Sequence, residues 1–507
     1  MGAMPSTWLP LPVPDNSLTL LGLFFTVFVL LLDLVKRRKK WSRYPPGPTS
    51  LPFLGNITQV DFHNLPLCFA QLSKKFGNIF SLQFCWTNVV VLNGFQVIKE
   101  ALVNASDDLA DRPPMPRFEF LGMKQNGQGV LNARYGQAWK DMRRFSLSTL
   151  RNFGLGRKSL EERVIEEAGF LCEAFQSEEG HPLNPHYLLN NAVSNVICSI
   201  TFGNRFEYDD EKFQRLLQLF EEGIRAESGV LHQLLDVIPV LVRIPGVAEK
   251  LAAPRYSLMN FMREVVEEHK KSWDPAVRRD FIDALLEEIE KNKGDPTSSF
   301  NDSNLLFTTF DIFAAGTETS STTLRWGLLF MALYPAIQSK VHEEIDCLIG
   351  RGRRPNMEDM ESLDFTKAVI HEIQRRADVL PVLPPHMAYR DTEIQGSFIP
   401  KGTTILINLS SVLHDETIWE RPDQFYPEHF LDADGKFSSR EAFMPFSAGR
   451  RVCLGEKLAR MELFLFFTSL LQCFTFTIPK DHPRPREDAA ALIVKCPYPY
   501  QLCAKVR

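Results

Sequence analysis

At 507 residues the chain exceeds the usual size of one domain, yet it has no internal repeat and no long linker after about the first fifty positions, which points to one large folded domain. A net charge of −5, spread along the chain, excludes the strong basic bias of a nucleic-acid binder. Nine scattered cysteines with no C-x-x-C pair suggest neither a zinc site nor a disulfide framework, and their odd number fits a reducing compartment.

From Ser17 to Val35 the residues are almost all apolar, in a run about as long as a bilayer core requires. Lys36, Arg37, Arg38, Lys39 and Lys40 follow at once and mark a cytosolic flank, which predicts an uncleaved single-pass anchor with a lumenal N-terminus. A cleaved signal peptide is the competing reading, but its charge would precede the apolar run. Pro45, Pro46, Pro48 and Pro52 then stiffen a hinge. The expected organisation is therefore 1–43 for N-terminus, anchor and basic stop, 44–56 for the hinge, and 57–507 for the main domain.

Ile79 to Leu92 reads as strand, turn and strand around Cys85-Trp86-Thr87-Asn88. Ala110 to Leu131, rich in Pro, Gly and isolated aromatics, reads as an irregular segment of the kind that carries binding function. Trp139 and Arg143 then share a helix face at i and i+4. Phe213 to Leu251 reads as two helices around an apolar link interrupted by Pro239 and Pro245, either buried or dipping into a membrane.

A long buried helix is expected from Asn304 to Tyr334, ended by Pro335, with Asp311, Ala315 and Thr319 on one stripe. Small Ala315 and Gly316 leave room beside it, and a hydroxyl at Thr319 disturbs the helix hydrogen bonds. Asp311 lies among apolar neighbours and needs a partner: backbone N–H groups of the irregular segment, a cationic substrate, or both. Glu372 and Arg375, at i and i+3, can pair. Short strands are expected from Arg390 to Leu413, and a hairpin from Leu492 to Leu502 with Pro497 and Pro499 at its turn.

The chemistry is expected at Phe446 to Gly455, FSAGRRVCLG. A cysteine ligates iron as the thiolate, which positive charge and a helix N-terminus favour. Arg450 and Arg451 precede Cys453, a helical run follows Gly455, and Gly449 and Gly455 permit a tight turn and close approach to a flat cofactor.

The full pattern F-x-x-G-x-R-x-C-x-G resembles the haem-binding loop of the cytochrome P450 family. With YPPGP, ADRPP, PKGTT and NLSSVL, the chain is most similar to subfamily D of microsomal family 2. The resemblance implies a mainly α fold with small β-sheets, the cytochrome P450 fold, preceded by one N-terminal transmembrane helix. It implies haem b (iron protoporphyrin IX) with Cys453 as axial thiolate, and haem contacts from Arg112, Trp139, Arg143, Ala315, His386, Ser447 and Arg451. Ala315-Gly316-Thr317-Glu318-Thr319 matches the oxygen-activation motif, Thr319 holding water and Glu318 supplying protons. Asp311 and Glu227 match acids that hold a substrate's cationic nitrogen, while Leu131 and Ile493 stand where mammalian members commonly place aromatics. Glu372 and Arg375 match a structural ion pair whose third member, usually an arginine, is here His429.

The implied activity is monooxygenation of lipophilic xenobiotics, basic amines among them, with fatty acids or steroids as further candidates. The implied partners are NADPH-cytochrome P450 reductase, with Lys140, Arg144, Lys457 and Arg460 as a candidate docking face, and cytochrome b5, at the cytosolic face of the endoplasmic reticulum membrane. An isomerase or dehydratase needing no external electrons, and a membrane-anchored haem sensor, are the alternatives.

Overall fold

The computed structural model describes residues 16–507 except 116–128, 154–157, 491–492 and most of 229–245. The expectation about the apolar link between Phe213 and Leu251 falls largely outside them. In chain order the helices are α1 (Asn16–Trp41), α2 (Leu65–Phe76), α3 (Phe95–Lys99), α4 (Gln137–Asn152), α5 (Lys158–Ser177), α6 (His186–Thr201), α7 (Glu211–Glu227), α8 (Val247–Ser272), α9 (Phe281–Lys291), α10 (Asp302–Leu333), α11 (Pro335–Leu348), α12 (Asp364–Ala377), α13 (Ser410–Leu413) and α14 (Glu456–Cys473). The strands are β1 (Ile79–Phe84), β2 (Thr87–Leu92), β3 (His386–Met387), β4 (Thr392–Ile394), β5 (Ser397–Ile399), β6 (Thr404–Ile407), β7 (Phe474–Thr477), β8 (Ala489–Ala490), β9 (Cys496–Pro497) and β10 (Cys503–Val506).

The central helix α10 begins where the Asn301 side chain accepts the Asn304 N–H at 3.0 Å. It stops at Tyr334, because Pro335 disfavours helical backbone in the residue before it. Phe310, Phe313, Leu324, Trp326 and Leu328 are buried around it, so its apolar positions face several neighbours and not one stripe. Gly316 sets how closely α6 approaches: a methyl there would lie 2.5 Å from the Ile197 side chain. A second core forms around the sheet, where Val90, Leu92, Ile405, Ile407 and Trp419 pack together.

That sheet has the order β1-β2-β6-β3. β1 and β2 form the expected strand-turn-strand and pair antiparallel, from Ile79 opposite Leu92 to Phe84 opposite Thr87. β2 then pairs parallel with β6, and β3 antiparallel with β6. The expected hairpin over Leu492–Leu502 does not form among the described residues. Instead Cys496–Pro497 pairs with Ala489–Ala490, and Leu502 bridges to Leu183. Pro497 and Pro499 have no N–H with which to close such a ladder.

Glu372 and Arg375 pair as expected, with bonds of 2.8 and 2.7 Å and fully buried side chains. His429 accepts the Arg421 N–H at Nε2, which leaves the proton on Nδ1 to donate to Glu372 at 3.2 Å. The histidine thus completes the cluster by hydrogen bonding.

In α1, Leu20, Leu21, Leu23, Phe24 and Phe25 are exposed, and the Asp33 side chain accepts the Phe53 N–H of the hinge at 3.3 Å. Among the described residues no helix is long and apolar enough to cross a membrane.

Candidate functional site

The Phe446–Gly455 loop is held by its own backbone. Cys453 N–H donates to Phe446 O at 2.9 Å, and Val452 N–H to Gly449 O at 3.2 Å. Gly449 has φ +71°, and a Cβ there would lie 1.7 Å from Leu102 O, so only glycine fits. Gly455 differs: its φ is −92°, and an added Cβ meets nothing within 4 Å among the described residues.

The Cys453 side chain faces a cavity of about 290 Å³. Burial pushes the thiol's pKa up, while the N–H groups of Gly455 and Glu456 at the start of α14 and the Arg143 guanidinium pull it back. A metal cation in the cavity would displace the proton.

Cations gather at one edge of this cavity. Arg112 donates through Nε to Leu131 O at 3.0 Å and through Nη1 to Pro384 O at 2.6 Å. Arg451 donates to the carbonyls of Ala110, Val130 and Ala133 at 2.6–3.1 Å. Arg143 donates to Val452 O at 2.6 Å. Burial pulls Arg112 down to about 10; burial and the charges of Arg112 and Arg143 pull Arg451 down to about 8. His386 is held well below its ordinary value by burial and by Arg112. Its Nδ1 faces Leu109 O at 2.7 Å and so carries the proton, leaving Nε2 to donate only after a second protonation, which an incoming carboxylate favours. The Ser447 hydroxyl is buried without a hydrogen-bond partner among the described residues. The cluster is short of negative charge and of an acceptor, which the two propionates of a haem supply; the donors present fit that group.

Trp139 sits beside Arg451 and Arg143. Its indole N–H donates to Val130 O at 3.1 Å, while the Arg451 and Arg143 guanidiniums lie 4.1 and 5.7 Å from its ring. It acts here by holding the arginines and the 129–131 segment in place.

Residues of α10 line the same cavity. Ala315 and Thr319 line the cavity, and the Thr319 hydroxyl donates to Ala315 O at 2.7 Å. Glu318 is not among the described lining residues: its Oε1 accepts from Thr322 at 3.2 Å and Cys496 at 3.4 Å, and burial raises its pKa. Asp311 does line it, with Oδ2 accepting the Val130 and Leu131 N–H groups at 2.7 and 2.9 Å. Of its two expected partners, the backbone is the one in place. Gly129 allows this contact, since a Cβ there would lie 2.3 Å from the carboxylate.

Leu131 lines the cavity. Glu227 and Ile493 do not, among the described residues; they neighbour each other, with the Ile493 N–H donating to the Ser228 hydroxyl at 3.4 Å. Glu462, on α14, also lines the cavity and is not among the expected residues, although a lone acid ahead of the run LFLFF is its signal.

A sequence model described as Cytochrome P450 matches residues 45–504. Cytochrome P450 2D15 of Canis lupus familiaris is 54% identical over 495 residues, covering 97% of this chain and 99% of that protein. Cytochrome P450 2D6 of Homo sapiens is 54% identical over 494 residues, with 97% and 99% covered. Cytochrome P450 2D14 of Bos taurus shows the same identity and coverage.

Proposed function

This chain belongs to the cytochrome P450 family, and within it to subfamily D of microsomal family 2, and we propose that the Cys453 thiolate would hold the iron of its haem b. The enzyme is a haem-thiolate monooxygenase of lipophilic xenobiotics, basic amines among them, acting by hydroxylation or O- or N-dealkylation. NADPH supplies the electrons through a flavoprotein reductase. When bound, the haem supplies dioxygen binding and the reductive cleavage of the O–O bond.

The chain's own residues do the rest. Arg112, Arg143, Arg451, Ser447 and His386 would hold the propionates, with Trp139 beside Arg143 and Arg451. Ala315 leaves space beside the iron position. The Thr319 hydroxyl holds water at the cavity wall, and Glu318 delivers protons by turning away from Thr322 and Cys496. Burial favours its protonated form, as a donor needs.

The residues of α1 from Ser17 to Val35 anchor the enzyme in the endoplasmic reticulum membrane. Their exposed apolar side chains have no other cover among the described residues. The domain from 57 onward lies on the cytosolic face, where Lys140, Arg144, Lys457 and Arg460 present charge to the reductase, with cytochrome b5 as a second donor.

One observation carries the reading: a single cavity is lined by Cys453, by Ala315 and Thr319 of α10, and by Arg112, Arg143 and Arg451. The test is the spectrum of the reduced protein with carbon monoxide. Wild type should give the strongly red-shifted Soret band of a thiolate-ligated haem, and Cys453→Ser should lose it while staying folded. An unshifted band in folded wild type would refute the ligand and the oxygenase mechanism together.

A further inference from the structure

The fold brings Cys172 of α5 beside Cys473, the last residue of α14. The Cys172 Sγ lies 3.8 Å from Ser469 O. Ser469 stands one helical turn before Cys473, and a helical side chain leans back over the turn that precedes it, so the Cys473 thiol shares this spot. Three residues beyond Cys172, the Phe175 ring packs on Phe474 and Phe476, with centroids 6.0 and 5.9 Å apart. That aromatic contact fixes α5 against the end of α14. Both thiols are half-buried, so a small reagent reaches them in the folded protein.

Two arginines flank the pair. The Arg354 guanidinium lies over Gly169, one turn before Cys172: a Cβ there would lie 2.2 Å from Nη1, which donates to Ile165 O at 3.2 Å. Arg507 donates its N–H to Cys473 O at 3.0 Å and its Nη1 to Leu471 O at 2.7 Å, while its Nη2 pairs with Asp346 at 2.6 Å. A hydrogen bond from the Cys172 thiol, with the charges of Arg354 and Arg507, draws the Cys473 pKa down against burial. The same bond and burial push Cys172 up. One sulfur is thus favoured as the thiolate and its neighbour keeps the proton. Neither lines the cavity that Cys453 faces, so this chemistry is independent of the monooxygenase reading.

We propose that Cys172 and Cys473 form a reactive dithiol, a modification site that hydrogen peroxide converts into a disulfide joining α5 to α14. The Cys473 thiolate attacks one peroxide oxygen and breaks the O–O bond, giving a sulfenic acid and hydroxide. Cys172 then attacks the sulfenic sulfur: the S–S bond forms, the S–O bond breaks, and hydroxide leaves to take up the Cys172 proton. Each sulfur loses one electron, the peroxide gains two, and, counting the proton that Cys473 released, two waters result. The bridge closes a loop of roughly 300 residues in the unfolded chain and so raises the melting temperature.

The experiment treats the holoenzyme at neutral pH with a few equivalents of hydrogen peroxide, alkylates remaining thiols in denaturant, and maps the digest by mass spectrometry. Wild type should yield one peptide pair joined through Cys172 and Cys473, two hydrogens lighter than the free peptides and separated by dithiothreitol. The pair should lose its alkylation at least about tenfold faster than the exposed Cys347. Oxidation should raise the melting temperature of wild type and not of Cys172→Ser, in which dimedone should instead capture Cys473 as the sulfenic acid. Cys473→Ser should leave Cys172 alkylatable. Folded wild type in which both thiols survive, in which Cys347 reacts first, or in which Cys473 is oxidised without the bridge overturns the proposal.

Discussion

Glu462 is 1% exposed, and neither of its oxygens has a hydrogen-bond partner of good geometry among the described residues. Burial pushes its pKa from 4.5 to about 8, with the Ser320 hydroxyl pulling the other way. The sign follows directly: between these values the unfolded chain releases a proton that the folded one keeps, so the group destabilises the fold increasingly as pH rises through that window, and no further above it. Glu462→Gln should therefore change the melting temperature little at pH 4.5 and raise it by pH 8.5. A tenfold change in proton affinity corresponds to about 1.4 kcal/mol, so the gain is bounded at roughly 5 kcal/mol. Thermal melts of the two proteins across that range check it; a gain that is the same at every pH would contradict it. Residues whose chemistry is local are legible in the sequence: Cys453 and Arg451 stand in one loop, Ala315 and Thr319 on one helix stripe. Directions and distant partners are not. Glu318 turns toward Cys496, the Trp139 N–H toward Val130, and Arg255 toward Glu227, each decided by packing between elements far apart in the chain.

The helices and strands expected from periodicity largely form, because their signals are carried by neighbouring residues. The long helix expected over Asn304 to Tyr334 spans Asp302–Leu333, and the expected strand, turn and strand over Ile79 to Leu92 form an antiparallel pair. The C-terminal segment departs from expectation since Cys496–Pro497 pairs with Ala489–Ala490 and Cys503–Val506 with Phe474–Thr477, both earlier in the chain, and not with each other. The cysteine loop separates two glycines that the sequence treats alike. Gly449→Ala forces a positive φ on alanine and drives its Cβ into Leu102 O, so little folded holoprotein should be recovered. Gly455→Ala should fold with near wild-type circular dichroism, any loss appearing in haem content alone. Expression yield and haem-to-protein ratio for the two variants distinguish them; equal loss of fold would refute the assignment of Gly449 as the structural glycine.

At the scale of the whole molecule, anchor and domain should be separable. α1 touches the hinge through Asp33, while the cavity is built from residues after 109. Removing residues 1–43 should leave the carbon monoxide spectrum unchanged and shift most of the protein from the membrane pellet to the supernatant. Loss of the spectrum on truncation would show the domain to depend on the segment. The parallel pairing of β2 with β6 sets a different kind of limit. Val89 lies beside Thr404, so roughly 300 residues must leave the ribosome after the first hairpin before its partner exists, which at about 5–20 residues per second takes on the order of 15–60 s. Throughout that interval β2 presents an unpaired edge, a template for pairing with another nascent chain. Translation speed and chaperone supply during those seconds, more than the stability of the finished fold, should govern how much of this enzyme a cell recovers.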